Sequence, residues 1–445
     1  MAIQLSDHFN YKKLLRFTLP TIIMMLFTSI YSIVDGVFVS NFAGDIPFKA
    51  INLIFPFLMI LATVGFMFGS GGTAVVANTL GEGDKKKANS YFSMFVYVAF
   101  VIGVILAIVA FIFMEQISIL LGATGELLSN TVLYGRILVI GLPFVILQYM
   151  FQSFFVASEK PKLGLFVILA AGFTNMILDA ILVVLLPKEY KLAGAAIATI
   201  SSQIIGGVIP FIYFMSKNNS LLRLGKTKIE GKILLKACIN GSSEFMSNIA
   251  MNLVGILYNL QLLKYAGDDG VASYGVMMYI SMIFASIFIG YSSGVAPIVS
   301  YHNGANNSKE KRNIFKKSLV IIGISSVLMF ILSEALAYPL SSIFVGYSEE
   351  LLSLTIHGMQ IFSLCFLFMG IAIFGSCFFT ALNDGVTSAI ISFLRTLVFQ
   401  LGAVLLLPII LNGVDGIWYS VVVAEIMAFI LTFIYFKIKR KKFDY

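Results

Sequence analysis

Twelve stretches of this chain stay apolar for about twenty residues or more, and that feature leaves few folds open. A helix needs about 20 mostly apolar residues to cross a bilayer, and within hydrocarbon only helices and closed barrels satisfy every backbone hydrogen bond. The stretches fall near 14–40, 48–79, 91–113, 132–157, 163–186, 192–215, 233–260, 271–302, 314–338, 355–381, 386–411 and 414–436. All exceed the length of a barrel strand, so the sequence predicts an all-α membrane protein with twelve transmembrane helices. The composition agrees, with 59% hydrophobic and 12% charged residues against about 25% charged in a soluble domain. The first stretch follows Lys12, Lys13 and Arg16 and lacks a small-residue cleavage site, so it reads as a retained helix.

Twelve crossings put both termini on one side. Of the 30 Lys and Arg residues, 24 lie in the terminal segments and the loops on that side, including Lys85 to Lys87, the run from Lys217 to Lys236, and Lys309 to Lys317. The positive-inside rule makes that side cytoplasmic. Lys49, Lys188, Lys191 and Lys264 fall outside, and Arg136 and Arg395 fall at or within helices. The net charge of +8 therefore records topology, with anionic membrane lipid as the partner of Lys437, Lys439, Arg440, Lys441 and Lys442. It does not indicate nucleic acid.

A shift of 223 positions aligns Ala43-Gly44-Asp45 with Ala266-Gly267-Asp268, Ser70-Gly71 with Ser293-Gly294, and Gly81 with Gly304. With small slips, Glu126-Leu127-Leu128-Ser129 answers Glu350-Leu351-Leu352-Ser353, Phe154-Phe155 answers Phe378-Phe379, and Gly194 answers Gly416. Six helices per copy make the repeats parallel. The predicted organisation is an N-lobe over 1–215, a basic linker over 216–236 and a C-lobe over 237–445. Two such bundles around a central cleft are a common transporter plan, because one site can open to either side as the lobes rock. Each copy also carries Gly-x-x-x-Gly in its second helix, Gly65/Gly69 and Gly290/Gly294, which suits close helix packing.

Motifs for other chemistries are missing. Gly225-Lys226-Thr227 has Ser220 where a phosphate loop needs glycine, and Gly81-x-Gly83 has Lys86 where a dinucleotide loop needs its third. His8, His302 and His357 are scattered, Cys238, Cys365 and Cys377 form no paired motif, and no nucleophile–base pair is evident. The reading is a non-enzyme with neither cofactor nor nucleotide, so transport would draw on an ion gradient.

Ionisable residues inside spanning helices are costly and mark pathways. Asp35 lies in the first helix, and Asn175 and Asp179, four apart on one face, lie in the fifth. Carboxylate, amide and hydroxyl oxygens, with Thr199 of the sixth helix contributing, make a site for H⁺ or Na⁺; no other metal is expected. Pro20 offers a bending point in the first helix. Glu244, early in the seventh, is the C-lobe candidate for attracting a cation. Gln148, Tyr149 and Gln152 on the fourth helix and Met277, Met278, Tyr279 and Met282 on the eighth are the expected cleft-lining residues, aromatic and thioether surfaces being suited to lipophilic cations. Glu334, Arg395 and Glu425 read as structural groups that pair across helices.

Taken together, Ile33-Val34-Asp35, the run from Gly71-Gly72-Thr73-Ala74 to Leu80-Gly81-Glu82-Gly83-Asp84, its counterpart Asn303-Gly304-Ala305-Asn306, and Asn175-x-x-x-Asp179 resemble the multidrug and toxic compound extrusion (MATE) family over nearly the whole chain. The resemblance is to its DinF-like and MepA-like bacterial branch. It implies a V-shaped, monomeric antiporter in a bacterial plasma membrane that exports cationic or amphipathic drugs against H⁺ or Na⁺. It also implies that the first-lobe aspartates carry the coupling ion and that Glu244 matches the family's helix 7 glutamate. Another branch adds a carboxylate in the tenth helix, and Ile361 to Ala381 has none. Two rival readings are a flippase for lipid-linked sugars, which the clustering of basic residues in loops disfavours, and a non-transporting scaffold or receptor, which leaves the buried aspartates without purpose.

Overall fold

The structure, a computed structural model, describes residues 3–42 and 44–445; Ala43 of the first repeat motif lies outside them. Among the described residues regular structure is entirely helical. The N-lobe comprises α1 (Tyr11–Phe42), α2 (Asp45–Gly81), α3 (Lys85–Ile112), the short α4 (Met114–Leu120), α5 (Gly125–Ile140), α6 (Leu142–Ala157), α7 (Pro161–Leu185) and α8 (Lys191–Met215). The C-lobe comprises α9 (Gly231–Gly304), α10 (Ser308–Val345), α11 (Glu349–Ser363), α12 (Phe366–Ala381), α13 (Gly385–Phe393), a π-helical turn (Leu394–Phe399), α14 (Gln400–Ile410) and α15 (Asp415–Phe443).

Two predicted spans are bent rather than straight. The fourth is α5 and α6, meeting at 55°, and the tenth is α11 and α12, meeting at 50°. Gly141 and Pro143 mark the first bend: proline supplies no amide to the preceding turn, and Gly141 packs against Gln203 and Ile200. Conversely, α9 holds two spans, since 74 residues would extend about 110 Å as one rod. It breaks at Gly267, whose φ of 63° and ψ of −155° suit glycine and strain other residues. With the bent pairs as single spans and α9 as two, the described chain crosses twelve times.

Internal symmetry reappears in the lobe contacts. A methyl group on Gly81 would overlap the Tyr301 carbonyl, and one on Gly304 would overlap the Asn78 carbonyl; a shift of 223 exchanges these contacts. Gly71 meets Ala237 as Gly294 meets Thr18, and Gly241 meets Met67 as Gly290 meets Ile22. Pro20 thus sits between two glycine contacts of α1 with the C-lobe, at Thr18 and Ile22, and α1 continues as helix through it.

These contacts lie in the half of the molecule that carries the termini. The farthest hydrogen bond between the lobes along α1 joins Ser29 and Ser286, Oγ to Oγ, at 2.5 Å. On the terminus face, Leu5 N–H donates to Glu159 at 2.6 Å, Phe9 N–H donates to Glu310 at 2.9 Å, and Asn303 donates to Asn78 at 3.1 Å. The linker is strapped to α3, with Gly225 N–H on Ser93 at 3.0 Å and Thr227 Oγ1 on the Ser90 carbonyl at 2.7 Å. Its last predicted residues, 231–236, already belong to α9.

Candidate functional site

Beyond the last contact between the lobes, α1, α5, α7 and α8 gather one polar cluster inside the N-lobe. Asp35 of α1 lies within hydrogen-bonding reach of Asp179 and Asn175 on α7, and both α7 residues are buried. Tyr134 of α5 stands beside Thr199 of α8 and within electrostatic reach of both carboxylates. Thr199 donates its own proton to the Ala195 carbonyl at 3.0 Å.

No protein donor reaches either carboxylate oxygen of Asp179 or Oδ1 of Asp35. No lysine or arginine figures among the groups acting on either aspartate. Two carboxylates in contact, away from water, repel unless a proton or cation lies between them. Among the described residues no three His, Cys, Asp or Glu side chains are gathered as a transition metal would require. Two carboxylates with amide and hydroxyl oxygens suit a proton or a hard monovalent cation instead.

A polar path leads away from this cluster. Tyr31, one turn before Asp35 on α1, stands near Gln148, which is buried against Gly206. The neighbouring Tyr149 stacks on Phe66 at 4.1 Å between ring centres. Tyr149 and Gln152 then form part of the wall of a cavity of about 90 Å³ between the lobes. Met25 of α1 lines the same cavity, ten residues before Asp35, which is about 15 Å along a helix.

The cavity follows the repeat. Ser70 faces it from the N-lobe and Ser293 from the C-lobe, and Phe66 and Ile289 likewise; Met25 of α1 and Glu244 of α9 add to its thioether and polar lining. Behind Glu244 stands Arg395, in the π-helical turn, within electrostatic reach of it. Arg395 grips Glu425 of α15 bidentately: Nε lies 2.9 and 3.0 Å from the two carboxylate oxygens, and Nη2 lies 2.9 Å from Oε1. That pair meets the expectation that these residues bond across helices. Glu334 instead accepts from Ser363.

The structure thus brings Asp35, Asn175, Asp179 and Thr199 together, places Tyr149, Gln152 and Glu244 on the cavity, and sets Gln148 between the two groups. Of the α9 expectations, Met277 needs correction. Met277 is fully buried in the C-lobe core, against Gly358 beside Trp418, so it does not line the cleft. Tyr279 turns toward α10, stacked on Phe344 at 6.1 Å. Met278 and Met282 are exposed but outside the cavity wall. One helix cannot point consecutive residues the same way, and an apolar run carries no mark of which face meets its own bundle. Sequence reasoning also missed Tyr134 and Tyr31. Ser70 and Ser293 were findable, since the repeat aligns them.

Comparison with known proteins supports the same architecture. The MatE family model matches residues 20–181 and 245–405, once per lobe. The multidrug export protein MepA of Staphylococcus saprophyticus is 27% identical over 427 residues, covering 93% of this chain and 91% of its own. That of Staphylococcus haemolyticus is 28% identical over 441 residues, covering 97% and 94%. Among solved structures, an outward-facing multidrug resistance MATE family transporter of the MOP superfamily superposes with a TM-score of 0.92 at 20% identity, over 99% of this chain and 97% of that one. A MATE in complex with MaL6 does so with 0.92 at 20%, over 99% and 98%. With the family model matched once in each lobe and twelve crossings in two six-helix bundles, this multi-pass membrane protein belongs to the MatE family.

Proposed function

We propose that the chain is a secondary active multidrug exporter that moves cationic or amphipathic small molecules against an inward flow of H⁺ or Na⁺ by alternating access. The observation that carries this is the Asp35–Asp179 pair, which has no cation of its own, with the polar side chains of Tyr31 and Gln148 lying between it and the cavity between the lobes. With both termini in the cytoplasm of a bacterium, the sealed half faces inward and the cleft opens outward. In that state the pair takes up the ion, α1 shifts, and substrate leaves the cavity to the outside. Discharge of the ion after the lobes rock resets the cycle.

One charge moving down 100 mV supplies about 2.3 kcal/mol, enough for roughly a fiftyfold gradient of a neutral substrate at one-to-one coupling. For a monovalent cation exchanged one for one the electrical terms cancel, and only the chemical gradient of the ion drives export. The protein acts as a monomer in lipid, without cofactor, nucleotide or nucleic acid, and performs no covalent chemistry.

The test is purified protein in liposomes, with a fluorescent organic cation followed during a pH jump at zero Na⁺ and a Na⁺ jump at fixed pH. Flux driven by one jump supports the exporter and names its ion; absence of flux under both overturns it.

A further inference from the structure

The C-lobe carries a charged cluster that the coupling scheme does not use. Glu244 lines the cavity, and Arg395 and Glu425 sit behind it as a buried bidentate pair, their side chains 17% and 2% exposed. The guanidinium is held in a π-helical turn, a wide turn found most often at functional sites. It lies within reach of Glu244 as well as Glu425. Two carboxylates and one guanidinium leave a single net negative charge, and the carboxylate not gripped by Arg395 is the one on the cavity wall.

We infer that Arg395 is a specificity-determining residue: bonded to Glu425 and within electrostatic reach of Glu244, it limits the charge shown to the cavity to one unit, so that the site favours singly charged organic cations over doubly charged ones. The inference rests on the exporter reading and adds a charge class to it. With Glu425 neutral, the nearest carboxylate left to Arg395 is Glu244, and the cavity loses its attraction for cations. With Arg395 neutral and both glutamates kept, the cluster carries two negative charges and a dication becomes the better partner. With both members of the pair neutral, the single charge of Glu244 remains and selectivity returns.

Binding of tetraphenylphosphonium, a monocation, and of a bis-quaternary ammonium dication to the purified full chain would read this series. Glu425→Gln should weaken both by about tenfold, and Arg395→Gln should shift the monocation-to-dication ratio by about tenfold toward the dication. The double variant should restore the wild-type ratio. Removing one partner of a buried pair is the more disruptive change, so if Arg395→Gln fails to fold, the contrast between Glu425→Gln and the double variant still decides. Binding of both probes with the same ratio and affinity in every folded variant overturns this inference alone. Binding of neither probe to the wild type overturns the exporter reading and this inference with it.

Discussion

The two lobes descend from one pattern and bury carboxylates differently. The N-lobe pair, Asp35 and Asp179, meets with no basic side chain in reach, whereas Glu244 and Glu425 of the C-lobe stand on either side of Arg395. A group that brings its own cation is balanced within the protein; one that does not must take positive charge from solution. On the proposed reading, the same scaffold yields an exchangeable site in one lobe and a fixed one in the other. The absence of a tenth-helix carboxylate between Ile361 and Ala381 fits that division, as does the buried, bidentate geometry of the C-lobe pair.

The largest predicted effect lies in the N-lobe. Asp35→Asn or Asp179→Asn should lower gradient-driven export in liposomes by about a hundredfold or more, since burying an uncompensated charge or losing the ion site costs several kcal/mol. Near-normal driven flux in either variant would break the comparison.

Tyr134→Phe should act less strongly. It removes a hydroxyl beside Thr199 and within electrostatic reach of both carboxylates, and one polar contact of hydrogen-bond strength contributes about 1 kcal/mol, so coupling-ion affinity should fall about fivefold while substrate binding at zero ion gradient stays unchanged. An equal loss in both would mean that the tyrosine supports only packing.

The smallest effect concerns a carboxylate that is balanced, like Glu425, but stands at the rim. Asp384 accepts from Lys439 and Thr387, each at 2.9 Å. Burial pushes its carboxyl up, and the Lys439 and Thr387 bonds outweigh that and hold it below its usual value. A lowered folded-state value means that the contribution is full above the ordinary carboxylate range, near pH 4, and is lost as pH falls through the depressed value. Asp384→Asn should therefore lower stability in detergent by about 1 kcal/mol at neutral pH, with no difference from wild type in strong acid. A difference that grows on acidification would reverse the assignment.

Much of this was legible in the sequence. Twelve apolar runs give twelve crossings, and the 223-residue shift locates the paired glycines on which the lobes rest. Asp35, Asn175 and Asp179 stood out because charge in an apolar run is conspicuous, and the four-residue spacing put two of them on one face. Of the two bends, only that of α5 and α6 carries a signal, Gly141 and Pro143: the α11–α12 bend, from Ser363 to Phe366, contains neither glycine nor proline, and only packing distinguishes it from a straight span. Nor was Met277, because a methionine on an apolar helix has the same sequence context whether it faces its own bundle or the cleft. Arg395 was visible as a charge, but its position between two glutamates depends on how α9, the π-turn and α15 come together.

The division between the lobes is tested most directly by counting ions. Titration calorimetry of a substrate cation, in buffers of different ionisation enthalpy and at several Na⁺ concentrations, reports how many H⁺ or Na⁺ leave each chain as substrate binds. Release seen in the wild type should disappear in Asp35→Asn and in Asp179→Asn and persist in the Arg395→Gln, Glu425→Gln double variant. Release that survives both aspartate substitutions, or vanishes in the double variant, would contradict it.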